Sequence, residues 1–136
     1  MSSEARAGLH DLIVVEMAGS RAGAYAAKLL GDLGATAVLI EPPEGASGRV
    51  DPAEWAAWMP AGSVVVVAGS AAAADWLARA DVVIESSSDR PLGSAQLLGE
   101  RPDAIRVRIS PFGSSGPYVE WRGADIVDQA MAAICI

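Results

Sequence analysis

Short aliphatic runs at residues 12–17, 37–40, 64–67, 82–84 and 105–109 alternate with stretches rich in alanine and leucine. That alternation restricts the chain to an α/β fold built on a mostly parallel sheet. Residues 12–17 are continuously apolar apart from Glu16, as a strand covered on both faces requires. Residues 105–109 instead alternate with Arg106 and Arg108 and read as a less buried strand. Ala22, Tyr25, Ala26, Leu29, Leu30 and Leu33 recur at helical spacing, and Gly34 sits where a left-handed cap ends such a helix. Further helices are expected over residues 52–59, with Asp51 as cap and Pro52 in the first turn, over 71–80 and over 125–134; residues 94–98 add a helical turn. Right-handed crossovers then give a Rossmann-like, three-layer fold with helices on both faces of the sheet. At 136 residues, the chain is expected to form one domain, residues 1–136.

Composition excludes several functions. A formal charge of −7, with Lys28 as the only lysine, argues against nucleic acid, whose phosphates require clustered bases. Cys135 is single, so there is no disulfide framework, and a small buried hydrophobe explains it better than a nucleophile does. The polar start of the chain is unlike a signal peptide, and no apolar run is long enough to span a bilayer, so a cytoplasmic protein with no membrane partner is expected. No His, Cys and Asp cluster has metal-ligand spacing; His10, the only histidine, reads as a solvated side chain before the first strand.

The junction between the first strand and helix, residues 18–25, is the natural ligand edge of such a sheet. Its glycines let backbone approach a ligand and the helix start favours anions, although a tight turn would use the same glycines. Gly19 and Gly23 do not make the three-glycine dinucleotide fingerprint, and a P-loop would need Lys and Ser or Thr, which are missing. A phospho-receiver domain is also excluded: Met17 and Ala18, Ala68 and Gly69, and Ser110 and Pro111 stand where it needs an acidic pair, an aspartate and a lysine. Glu16, Asp32, Glu41, Asp81 and Glu85 read as strand-end and helix-surface charges, and Asp125 as a cap.

Two regions carry a family resemblance. The first includes Ala22, Gly23 and Ala24 and runs to Glu41, Pro42 and Pro43; the second runs from Pro111, Phe112, Gly113, Ser114, Ser115, Gly116, Pro117 and Tyr118 into the helix from Asp125. In these the chain resembles the start of class III CoA-transferases (the CaiB/BaiF family), strongly over residues 10–45 and 103–134 and weakly between. The resemblance implies coenzyme A or acyl-CoA as ligand, with no covalently bound cofactor. Arg21, Ala22 and Gly23 would lie along it, Pro42 near its adenosine end, and Phe112 and Gly113 near the thioester.

The resemblance also has gaps. Leu39 replaces the family's lysine, the loop with an Asn-Arg-Gly-Lys type element has no counterpart, and Ala124 stands where the racemase branch has a histidine. The family's nucleophilic aspartate, which carries acyl-anhydride and CoA-thioester intermediates, lies downstream, so no catalytic residue is expected in these 136 residues and no activity from them alone. Three readings stay open: part of a working CoA-transferase or a racemase-like fragment, a degenerate domain with a structural or assembly role, and a free-standing small-ligand module. A homodimer, or docking onto the rest of a longer chain, is expected through residues 125–136.

Overall fold

A computed structural model describes residues 8–17, 21–45, 62–86, 103–113, 115–121 and 123–131. The elements in chain order are β1 (Ile13–Met17), α1 (Arg21–Asp32), β2 (Thr36–Glu41), β3 (Val64–Val67), α2 (Ala71–Arg79), β4 (Val82–Ser86), β5 (Ile105–Ile109) and α3 (Asp125–Met131). All five strands anticipated from the sequence are present, and every pairing between them is parallel. The helix expected at 52–59 with its Asp51 cap, the turn at 94–98 and the last residues of the final helix lie outside the described residues.

The sheet order is β3-β2-β1-β4-β5. Its central strand, β1, pairs Val15 with Val38 of β2 on one side and with Val83 of β4 on the other. Alternation along the strands divides the core into two layers. Val15, Met17, Val38, Ile40 and Val83 pack with Ala73 and Leu77 of α2, whereas Val14, Val82 and Ile84 pack with Ala27 of α1. The two helices therefore cover opposite faces, and the fold is the expected three-layer α/β sandwich. The apolar run of β1 has this cause, since α1 and α2 both contact it.

Local chemistry sets the helix ends. Gly23, Ala24 and Ala27 are the buried residues of α1, small enough for the helix to sit close on the sheet. It stops in a Schellman cap: Gly34 adopts φ 104°, its N–H donates to the Gly31 carbonyl at 2.9 Å, and the Ala35 N–H donates to the Leu30 carbonyl at 3.1 Å. The Oγ of Ser70 accepts from the Ala73 N–H at 3.1 Å and so caps α2, a contact that contributes about 1 kcal/mol. At the amino end of the sheet Asp81 ties three strands together. Its Oδ2 accepts from the Ile13 N–H at 2.9 Å, its own N–H donates to the Ile13 carbonyl at 2.9 Å, and its carbonyl accepts from the Ile105 N–H at 2.9 Å. Asp81 is thus a structural bracket rather than the surface charge its position suggested.

Candidate functional site at the carboxyl edge of the sheet

Because all strands run the same way, the loops that follow β1, β2, β4 and β5 emerge on one edge. The chain leaves β1 toward β2 through α1 and returns from β3 to β4 through α2, so its direction reverses between β1 and β4. In sheets of this kind a crevice opens at that switch point and holds the ligand. Every candidate site residue borders this edge. Arg21, Ala22 and Gly23 form the first turn of α1, with Arg21 and Ala22 exposed and Gly23 buried. Pro42, half-buried, follows β2, and Phe112 and Gly113 follow β5. β2 and β5 are three strand spacings apart, about 14 Å, so Pro42 and Phe112 flank the switch point rather than touch. A ligand that reached both would have to be elongated.

The edge carries charge of both signs. Glu16 is 0% exposed and Glu41 6%, so these two are buried acids and not the solvated strand-end charges expected from the sequence. The alternation that places Val14 against Ala27 turns Glu16 to the same face, beneath the start of α1; Leu39 and Glu41 share that face on β2. On the opposite face Glu85 pairs with Arg108 of β5 at 3.7 Å. Leu39, where a base would be expected by resemblance, is 1% exposed and belongs to the core. Arg21 is therefore the base placed at the α1 end of the switch point, where the dipole of the helix start also favours an anion.

The loop after β5 is organised by aromatic rings. Phe112 lies 6.4 Å from Tyr118 and 6.1 Å from Trp121 between ring centroids, and Tyr118 and Trp121 are 4.6 Å apart. Gly113 (φ 84°) and Gly116 (φ 98°) make the turns that fold the loop onto itself, and both open into space, so their conformation and not crowding calls for glycine. The Trp121 N–H donates to the Tyr118 carbonyl at 2.9 Å and closes the last turn. Trp121 remains 58% exposed and Tyr118 44%, which makes the cluster a stacking surface rather than a core. The motif in the sequence includes Phe112 and Tyr118 but not Trp121, whose signal is the spacing of three aromatics within a Gly- and Pro-rich loop.

The remaining candidates divide clearly. His10 is exposed and lies 3.1 Å from Asp11, as a solvated side chain would. No group of three His, Cys, Asp or Glu side chains that could hold a metal occurs among the described residues, and no described helix is long and apolar enough to cross a membrane. Ala124 is exposed at the start of α3, and on α3 itself Ile126 (73%), Val127 (36%) and Met131 (66%) are exposed. Among the described residues, the apolar face of the last helix is thus left exposed.

Residues 9–136 match the model of CoA-transferase family III. The chain is 30% identical to succinyl-CoA–D-citramalate CoA-transferase of Chloroflexus aurantiacus, over 93% of its own length and 36% of that protein. It is 31% identical to succinate–glutarate CoA-transferase of Agrobacterium fabrum, over 91% of its length and 37% of that protein. Among solved structures, a CaiB/BaiF family protein from Brucella suis superposes with a TM-score of 0.73 at 27% identity, covering 95% of this chain and 40% of the other. The chain therefore spans little more than a third of the length of these relatives.

Proposed function

Since the chain belongs to CoA-transferase family III, we propose that it forms the coenzyme A-facing part of an enzyme that moves coenzyme A between an acyl-CoA and a carboxylic acid. The observation that carries this reading is the family match along residues 9–136, set on a sheet whose switch point gathers Arg21, Gly23, Pro42 and Phe112 along one edge. Phosphate groups of the ligand suit the first turn of α1 and Arg21, and the rings of Phe112, Tyr118 and Trp121 offer an apolar surface after β5, two strand spacings or about 10 Å from β1, for another part of the molecule. The reaction class follows from the family: an aspartate carboxylate attacks the acyl-CoA thioester and expels the coenzyme A thiolate, giving an acyl-aspartyl anhydride; the thiolate attacks the aspartyl carbonyl and releases the donor acid, leaving an aspartyl-CoA thioester; the acceptor acid's carboxylate then runs the same two steps in reverse, and the new acyl-CoA leaves with the aspartate restored. That aspartate lies outside these 136 residues. Both curated relatives are named for exchanges involving dicarboxylic acids, which supports small dicarboxylic acids as the substrate class.

A non-catalytic role for the domain, structural or in assembly, is the second reading. Leu39 and the acidic lining of the edge favour it, because both weaken the hold on a polyanion. The racemase-like alternative is poorer than either, since Ala124 can carry no proton. Calorimetry separates the first two. Weak binding of coenzyme A that Arg21→Ala lowers about tenfold supports a ligand site at α1, that factor corresponding to the loss of one charge-assisted contact. Tight binding untouched by Arg21→Ala would place the ligand elsewhere.

The exposed face of α3 fits a homodimer or docking onto the rest of a family-length polypeptide. Light scattering combined with hydrogen exchange is expected to show association that protects residues 125–131. A strict monomer with those amides already protected would remove the proposal.

A further inference from the structure

Exchange between dicarboxylic acids puts a demand on the site that phosphate binding does not meet. Such an acid reacts through one carboxylate, and the other has to be held by a cation, because desolvating a charge without a partner is costly. The arginine and lysine side chains among the described residues are Arg21, Lys28, Arg79, Arg106 and Arg108. Three of them lie away from the carboxyl edge. Lys28 pairs with Asp32 along α1, and Arg79 pairs with Asp75 and lies 4.5 Å over the Trp76 ring in the last turn of α2, which leads into the amino end of β4. Arg106 stands beside Val83, two residues nearer the amino edge than Arg108. Arg21 and Arg108 are left, and Arg21 belongs to the start of α1, where the phosphates are placed.

Arg108 has the form of a carboxylate holder. Register sets Glu85 of β4 between Met17 of β1 and Arg108 of β5, so the Glu85–Arg108 pair extends outward from the switch point between β1 and β4. The Nε of Arg108 lies 3.7 Å from the Glu85 Oε2. Its Nη1 and Nη2 groups make no ion pair among the described residues, and their planar fork matches the two oxygens of a carboxylate. The fork is also within reach of a ligand. The Arg108 side chain is 51% exposed, since α2 packs chiefly on β3 and β1 and leaves this face of β5 open. β5 ends at Ile109, the residue after it, and the chain then passes to Phe112 and Gly113.

The geometry points to Arg108 as the residue that selects dicarboxylic over monocarboxylic acids, by donating from Nη1 and Nη2 to the carboxylate that does not react. The identity of the acid rests on the transferase reading, whereas the role of Arg108 is independent of the coenzyme A contacts at α1. Glu85 moderates this anchor. By sharing the guanidinium charge it weakens the hold on any anion, so that only a carboxylate seated in the fork gains from Arg108.

The test uses the whole 136-residue chain and two acids of equal chain length, glutarate and valerate, titrated into isotopically labelled protein and followed by NMR. Glutarate is expected to bind about tenfold tighter than valerate, the worth of one charge-assisted contact. Arg108→Gln is expected to remove that difference. Glu85→Gln, which leaves Arg108 its full charge, is expected to widen it about threefold, as the loss of a half-exposed ion pair allows, and such a gain cannot come from misfolding. Equal binding of the two acids, no binding of either, a preference that survives Arg108→Gln, or one that Glu85→Gln leaves unchanged would overturn the proposal. Titration with coenzyme A separates this from the transferase reading. Coenzyme A held through Arg21 without any preference for glutarate would leave that reading standing and remove the role of Arg108. A preference lost in Arg108→Gln, in a chain that holds no coenzyme A, would keep the anchor and remove the coenzyme A-facing role.

Discussion

Purified as these 136 residues and given succinyl-CoA with glutarate, the protein is expected to produce no glutaryl-CoA above the uncatalysed rate. The expectation rests on the chemistry of the step. Exchange of a thioester for another acid needs a nucleophilic carboxylate that is accessible to the acyl carbon and can carry both an anhydride and a thioester. The described carboxylates on the strands beside the switch point do not meet that demand. Glu16 is wholly buried beneath α1, Glu41 nearly so, and Glu85 is engaged by Arg108. Loss of the nucleophile in covalent catalysis removes most of the rate enhancement, commonly on the order of a millionfold, so the assay need not resolve small effects. Mass-spectrometric detection of glutaryl-CoA, absent without the protein and abolished by Glu16→Gln or Glu41→Gln, would show that one of these acids acts as nucleophile and that the reading is wrong.

The sheet was legible in the sequence because parallel strands buried on both faces leave little choice of residue. The runs at 64–67 and 105–109 coincide with β3 and β5, and the other strands differ by one or two residues at their ends. Gly34 announced the end of α1 because few other residues accept its backbone conformation. The weaker burial of β5 could also be read, since arginine alternating with aliphatic residues cannot lie between two helices. Less legible were the acids. A glutamate at a strand end looks the same in sequence whether it faces solvent or a helix, and only the crossing of α1 over β1 and β2 shows that Glu16 and Glu41 are covered. Asp81 was hidden for a related reason: its role depends on β1 and β5 converging on it from 68 residues before and 24 after. Trp121 joins Phe112 only through two glycine turns, whose combined direction no local pattern reveals.

The second large effect concerns Leu39, where the family resemblance calls for a lysine. In the β1–β2 register Leu39 stands directly beside Glu16, about 4.8 Å away across the ladder, and both side chains face α1. Both are buried, at 1% and 0% exposure. A lysine at position 39 would thus meet a carboxylate at once, and in so dry a setting the pair matters far more than either charge alone. An isolated buried ammonium is strongly destabilising, whereas one placed against a carboxylate recovers most of its desolvation cost. Leu39→Lys is therefore expected to cost on the order of 3 kcal/mol less with Glu16 present than in a Glu16→Gln background. Urea denaturation of the four proteins of this cycle gives the coupling directly. Such a coupling would mean that the base missing from β2 is a structural partner of the acid on β1, and that its loss left an acid buried beneath the helix start without changing the fold. Equal costs in the two backgrounds would show that Glu16 is held by other groups too firmly to answer a new neighbour, and would return the missing lysine to a role in holding phosphate.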